Sequence, residues 1–298
     1  MTMIQMEIFV KIVETKSFTK AGEELGMTQS AVSHAISSLE SALGFQLIIR
    51  NRSGAVITTN GEKMLAHMRN ILRHTELMKQ DAESIMGLQK GKVRVGTFES
   101  VMINWMPDIL GQFQHQFPDI KVELIEGDYQ AIIQWLLEGR LDLGFILEME
   151  RMNVDFHPLK DDHLSLLIPW DHPLSQEREP SIEQVAAYPF IMPKKGCDEH
   201  VRRMFQAQDL DPDVRFVIKD VHSIIAMVKS RIGISIMPEL TLPKHMDKVK
   251  TTRICEEVYR TIGIAAPAFG RLSPAAKKFF ELTKSWVGNK STFDERSL

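Results

Sequence analysis

Cysteine is almost absent: Cys197 and Cys255 are the only two in 298 residues. A disulfide framework is thereby excluded, which leaves two free thiols as the plain expectation and a redox switch between them as the alternative. Long apolar runs are missing too, and none approaches the roughly 20 residues that a membrane-spanning helix needs. The N-terminus alternates polar and apolar residues and lacks the basic, apolar and small-residue order of an export signal. No membrane and a cytoplasmic location are therefore expected. An excess of one charge is lacking as well, the net charge being −3. Residues 1–60 hold Lys11, Lys16, Lys20, Arg50 and Arg52 against Glu7, Glu14, Glu23, Glu24 and Glu40. Any nucleic-acid contact from this segment must then come from local placement of side chains rather than bulk attraction. There is no glycine-rich phosphate loop, zinc-protease helix or nucleophile elbow. Cys197-Asp198-Glu199-His200 resembles half a metal site, but no second pair stands at ligand spacing. Neither catalytic site, metal nor cofactor is expected.

What is present is ordinary globular composition, 44% hydrophobic and 25% charged, at a length that suggests two or three domains. Three helical periods open the chain: Met6, Phe9, Val10, Val13; then Phe18, Ala21, Gly22, Leu25; then Val32, Ala35, Ile36, Leu39, Leu43. Only Gly26-Met27-Thr28 splits the second from the third. Gly26 suits a left-handed helix end, and Thr28 suits an N-cap whose hydroxyl takes a free N–H. Two short β-type runs, Leu47–Arg50 and Ala55–Thr58, flank a turn at residues 51–54 and read as a wing.

From Gly61 to Met86 no glycine or proline interrupts the chain. Met64, Met68, Ile71, Thr75, Met78, Ala82 and Ile85 recur at alternating steps of four and three, the 3.5-residue period of a coiled-coil seam. A dimerising helix is expected, a core-facing surface helix being the alternative. Gly87–Gly91 reads as a hinge. Beyond it, strand candidates alternate with helical stretches: Lys92–Gly96, Ile120–Ile125, Leu141–Leu147, Leu164–Ile168, Phe190–Met192, Val214–Ile218, Ile234–Met237 and Thr261–Ala265. This points to α/β lobes with parallel sheets. A final amphipathic helix over Ala275–Val287 should precede a mobile polar tail from Gly288.

The run Ser17 to Leu25, then Thr28-Gln29-Ser30-Ala31-Val32-Ser33-His34-Ala35-Ile36, Leu39-Glu40 and Leu43-Gly44, resembles the LysR-type transcriptional regulators. The likeness continues through Arg50, Arg52, Thr58-Thr59 and Gly61. It resumes at Phe117-Pro118, Glu126-Gly127, Gly139–Gly144, His172-Pro173-Leu174 and Gly233–Pro238. His34 stands where arginine is common, and Arg231 where a glycine is usual before Gly233. The resemblance implies an N-terminal winged helix-turn-helix over residues 1–60 and a long linker helix with hinge over 61–90. Beyond these it implies an effector domain over 91–290 with two lobes similar to periplasmic binding proteins. Crossings are expected near Lys160–His163 and Ala265–Ala268, which gives lobe 1 as 91–161 with 267–290 and lobe 2 as 162–266. The implied partners are duplex DNA at a two-fold-related promoter site, a small-molecule effector, and further copies of the chain as homodimer or homotetramer.

The exposed N-terminal face of the third helix offers Gln29, Ser30, Ser33 and His34, residue types suited to a major groove. Gln29 and His34 are the expected base readers. Thr28, Ser30 and Ser33 are expected at phosphates, aided by the helix dipole, with Arg50 and Arg52 reaching from the wing. The alternative is an ordinary solvated face. In α/β lobes, ligands collect at the C-terminal strand edges. Those edges place Thr97, Glu99, Ser100, Tyr129, His222 and Ser223 as effector contacts, helix caps or loop polar groups being the alternative. Glu99 and Asp128 at that edge favour an amine-bearing or zwitterionic effector, with Lys194, Lys195 and Arg202 as possible offsets. The rival class is an enzyme or solute-binding protein with an accessory helical domain.

Overall fold

A computed structural model describes residues 1–51, 54–87, 90–149, 151–194 and 197–294, the last four without their side chains. Its N-terminal unit packs α1 (Met3–Thr15), α2 (Phe18–Leu25) and α3 (Gln29–Leu43) around Phe9, Ile12, Val32, Ile36, Leu39 and Leu47. The caps follow from residue type. Gly26 takes φ 66°, the left-handed region that glycine enters without steric cost, and its N–H returns to the carbonyl of Glu23. The Thr28 hydroxyl accepts the Ala31 N–H at 3.2 Å, which starts α3 two residues after the turn. In α1 the buried face is Met6, Ile8, Phe9 and Ile12, while Val10 and Val13, expected in the stripe, are half-buried. β1 (Ile48–Asn51) and β2 (Gly54–Ile57) form the wing as an antiparallel pair.

The linker helix α4 (Thr59–Ile85) runs unbroken, capped by the Thr58 hydroxyl on the Gly61 N–H at 2.9 Å. Met64 and Met68, at the head of the expected seam, pack into the N-terminal core. Further along, Ile71, Met78 and Ile85 are exposed.

Lobe 1 contains β3 (Gly91–Thr97), α5 (Glu99–Asn104), α6 (Met106–Gln116), β4 (Ile120–Glu126), α7 (Tyr129–Leu137) and β5 (Leu143–Leu147). Next comes β6 (Asp155–Pro169), a 15-residue strand shared by both lobes. Lobe 2 contains α8 (Ile182–Ala186), β7 (Phe190–Pro193), α9 (Asp198–Ala207), β8 (Val214–Ile218), α10 (Val221–Lys229), β9 (Ser235–Pro238) and β10 (Val249–Thr252). β11 (Tyr259–Ala266) and α11 (Pro274–Asp294) return to lobe 1. The ladder runs β10-β6-β11-β5-β3-β4, with β9 also on β6. β3 is parallel to β4 and β5, and β7 to β8. β11 is antiparallel to β5 and β6, and β6 to β9 and β10, so the sheets are mixed rather than parallel throughout.

Three expectations change here. The first half of β6, from Asp155 to His163, was not expected as a strand. Its polar residues hide the pattern, and pairing with β11 makes it one. The second crossing precedes β11 instead of following it. Ala265 lies opposite Gly144 and Phe156 inside the lobe 1 sheet, while Tyr259 opposes His163 where β6 changes lobes. Residues 259–266 therefore belong to lobe 1. Finally, the chain from Gly288 to Asp294 is helix, not a loose tail. Trp286 and Val287 are buried, and the Lys290 ammonium sits 4.4 Å over the Trp286 ring while reaching Asp108 at 3.5 Å.

Each lobe has its own core. Trp105, Phe113, Phe145 and Phe279 anchor lobe 1, and Leu166, Phe190, Phe205 and Ile236 anchor lobe 2. In lobe 1, Gly144 lets α7 press onto β5: a Cβ there would lie 2.4 Å from Ile132. That close approach fixes where the first residue of α7, Tyr129, enters the space between the lobes.

Candidate DNA-reading face and effector cleft

At the N-terminal unit, α3 exposes Gln29, Ser30 and His34, with Ser33 half-buried and Val32 and Ile36 on the opposite, buried side. These side chains are tied to the wing. The Gln29 amide donates to Ser33 Oγ at 2.9 Å, and the Arg50 guanidinium donates to the same oxygen at 2.6 Å. Arg50 in turn lies 3.8 Å over the Phe18 ring, a cation–π contact that holds a planar cation beside the helix. The Thr28 hydroxyl is used twice, as the cap and at 3.1 Å from Ser30 Oγ. Thus helix and wing form one polar surface, with Arg50 as its fixed cation. Arg52, expected on the same wing, lies outside the described residues.

Between the lobes sits a cluster whose centre the sequence did not reveal. Arg260 on β11 lies directly opposite Asp162 on β6, at the point where β6 changes lobes and β11 begins. Its Nε donates to Asp162 Oδ2 at 2.8 Å, and Nη2 approaches the same oxygen at 2.7 Å. Nη1 donates to the Tyr129 hydroxyl at 3.1 Å and Nη2 to Ser100 Oγ at 3.2 Å. Asp162 also accepts the Leu240 N–H at 2.8 Å, while the Asn104 amide donates to the Leu240 carbonyl at 2.7 Å. These bonds join lobe 1 to the segment after β9. Both charged side chains are buried, at 3% and 5% exposure. Burial pushes the Asp162 carboxyl above its ordinary range, and the Arg260 charge opposes that push. Burial likewise raises the Tyr129 phenol.

Of the expected effector contacts, Ser100 and Tyr129 touch this cluster directly. Thr97 is fully buried at the end of β3, its hydroxyl 3.5 Å from the Phe98 carbonyl. Glu99, His222 and Ser223 are exposed. The Ser223 N–H is held by Asp220 at 2.7 Å as an N-cap of α10. Asp128 also serves as a cap, accepting the Ala131 N–H at 2.9 Å. Lys194 and Arg202 are exposed, and Lys195 lies outside the described residues. A signal for the missed pair exists in retrospect. Arg260 interrupts the start of an apolar strand, and Asp162 precedes the apolar run from Leu164.

Cys197, at the N-cap of α9, is buried in the core of lobe 2. Burial pushes its thiol up to about 12, Arg260 only partly opposing this, so at neutral pH it is a protonated, inert group. Cys255 is exposed. Alkylation of the native chain at pH 8 should therefore modify Cys255 and spare Cys197 until the protein is unfolded. Equal native reactivity at both sites, read by peptide mass analysis, would contradict this. Arg231 takes φ 57°, the left-handed geometry that accounts for a glycine being usual there, and its guanidinium pairs with Asp171.

Comparison with known proteins agrees with this architecture. The model of the bacterial regulatory helix-turn-helix proteins of the lysR family matches residues 3–62, and that of the LysR substrate binding domain matches 87–288. The chain belongs to the LysR family of helix-turn-helix transcription regulators. Among its relatives is the uncharacterized HTH-type transcriptional regulator YvbU of Bacillus subtilis (strain 168), 34% identical, with 97% of this chain and 99% of that protein aligned. Among solved structures, a full-length OxyR variant from Pseudomonas aeruginosa superposes with a TM-score of 0.78 at 20% identity, covering 96% of this chain and 94% of that one. The LysR-family regulator CbnR, solved full-length with its target DNA, superposes with a TM-score of 0.67 at 19% identity, covering 96% and 99%. These two likenesses concern the fold.

Proposed function

We propose that the chain is a transcription regulator that reads a two-fold-related promoter site with α3 and answers to a small molecule held between its lobes. The observation that carries this is the polar face of α3, with Gln29, Ser33 and Arg50 joined into one helix-and-wing surface. In this reading Gln29 and His34 meet base edges, while Ser30, Arg50 and Arg52 meet phosphates. Thr28 and Ser33 chiefly position the others, one as a cap and one as the hinge of the side-chain network. With cations so few, affinity must be assembled from at least two copies. The exposed Ile71, Met78 and Ile85 of α4 suit burial against a second chain, giving a homodimer or, through further surfaces, a homotetramer.

The effector reading rests on the Arg260–Asp162 floor, roofed by Ser100 and Tyr129. Because the pair is already neutralised, the floor offers hydrogen-bond partners rather than a free charge. Asp128 caps α7 through one oxygen and keeps its charge, so it stays with Glu99 as a carboxylate that favours an amine-bearing effector. Glu99, Thr97, His222 and Ser223 remain candidate contacts at the cleft edges. The relatives are named as regulators, and we read this chain as a non-enzyme acting in the cytoplasm. Among the described residues no helix is long and apolar enough to cross a membrane.

Selection of bound sequences from a random duplex pool at fixed salt tests the proposal. An inverted repeat with half-sites about one helical turn apart, or a multiple of it, is expected. No enrichment even at low salt would turn attention to the rival solute-binding or enzyme reading.

A further inference from the structure

The linker helix carries two stripes, not one. Beside the apolar seam runs a polar series, Arg69, Arg73, Glu76 and Gln80, at steps of four, three and four, which places them on one face. Each has its own partner on lobe 1. Arg69 Nη1 meets Glu138 at the end of α7 at 3.1 Å, and Arg73 Nε meets Asp142 before β5 at 3.1 Å. Glu76 accepts from the Arg94 guanidinium of β3 at 2.6 Å, and the Gln80 amide donates to the Lys92 carbonyl at 3.2 Å.

This joint is polar along its length and dehydrated in part. Arg69, Gln80 and Asp142 are buried, and Gln80 Oε1 has no hydrogen-bond partner among the described residues. Burial, followed by the neighbouring Arg140 charge, draws the Arg69 guanidinium below its usual range. Around the joint, a groove of about 950 Å3 opens between α1, α4 and lobe 1, lined by Lys11, Glu14 and Arg140 among others. Two backbone positions lie where the helix hands over to β3: Gly87 at φ 78° and Gly91 at φ 150°. Ion pairs released whole into water recover their desolvation cost, so their net contribution is small, and the partly exposed Arg94–Glu76 pair is screened by salt; an apolar joint has neither property.

We propose that the stripe Arg69-Arg73-Glu76-Gln80 is a releasable latch. Engaged, it docks lobe 1 on the linker helix and fixes the angle between the DNA-binding unit and the effector domain. Released, it leaves the two joined through the segment around Gly87 and Gly91. The exposed part of the apolar stripe, Ile71, Met78 and Ile85, stays free to hold a second copy in either state, so the subunit changes shape without leaving its dimer. The inference stands on the linker contacts and does not depend on where the effector binds.

Energy transfer within one subunit tests it. Dyes are placed at Lys63→Cys on α4 and Gln130→Cys on α7, in a full-length chain carrying Cys197→Ser and Cys255→Ser. The labelled chain is diluted into excess unlabelled chain. Transfer should be high at low salt and fall as salt rises from roughly 0.05 M to 1 M. Arg69→Glu should lower it at every salt concentration, and the exchanged pair Arg69→Glu/Glu138→Arg should restore it. Recovery by the exchange separates release from misfolding. Transfer unmoved by salt and by Arg69→Glu, or a loss that the exchange does not recover, overturns the proposal.

Discussion

Asp162→Ala is expected to lower the stability of the effector domain by about 3–5 kcal/mol, the cost of leaving a buried charge without its counter-ion. Arg260 is 3% exposed, and its remaining partners, the Tyr129 hydroxyl and Ser100 Oγ, are neutral. The substitution also strips the Leu240 N–H of its acceptor, on a segment that helps join the lobes. Because Asp162 and Arg260 lie where β6 passes between the lobes and β11 begins, the loss falls on the joint as well as on one side chain. Removing both charges is a different matter. Burial already pushes the Asp162 carboxyl upward, so the ionised pair is held at a desolvation cost. An Asp162→Leu/Arg260→Met variant should therefore recover most of the stability lost by the single change. Denaturant midpoints of the effector-domain transition measure both. A loss under about 1 kcal/mol for Asp162→Ala would mean that water or another acceptor reaches Arg260.

Phe9→Ala should cost about 3–5 kcal/mol in the N-terminal unit, from lost apolar transfer plus the cavity left behind. Phe9 is fully buried among Ile12, Val32, Ile36 and Leu39, and so joins α1 to α3. Small domains bury a lesser share of their surface and hold little stability in reserve. The unit should therefore unfold near room temperature while both lobes remain folded. Calorimetry should then show the effector-domain transition alone, and sequence-specific DNA binding should be lost. A single unchanged transition would show that α4 and lobe 1 stabilise the N-terminal unit far more than its own core does.

The local grammar of the chain was readable because it depends on residue type and near neighbours. Gly26, Thr28 and Gly44 set the ends of the helices around the turn, and each occupies the capping role that its chemistry suggests. Interactions across long sequence separations were not readable. Arg260 and Asp162 stand 98 residues apart and meet only because β11 pairs antiparallel with β6. The polar half of β6 carries Asp155, His157, Lys160, Asp161 and Asp162, a composition poor in strand formers, and pairing with β11 overrides it. The second stripe of α4 is composed of charged and amide side chains, which in sequence look the same as a solvated face. Only the acids and bases of lobe 1, placed opposite in register, distinguish it. For the expected effector contacts, Ser100 and Tyr129 reach the cluster because α5 and α7 start at the sheet edge. His222 and Ser223 begin α10 but remain exposed there.

The central claim is that the α3 face reads bases, and comparing wild type with Gln29→Ala/His34→Ala in selection from a random duplex pool tests it most directly. Both positions are exposed and outside the core, so the variant should fold and dimerise normally. Each lost base contact should cost about 1–3 kcal/mol of discrimination. The expected result is an inverted repeat for wild type, with a relaxed or lost preference at the half-site positions in the variant, while salt-dependent non-specific binding persists. Recovery of the same sharp motif by both proteins would contradict the account and place sequence reading elsewhere on the chain.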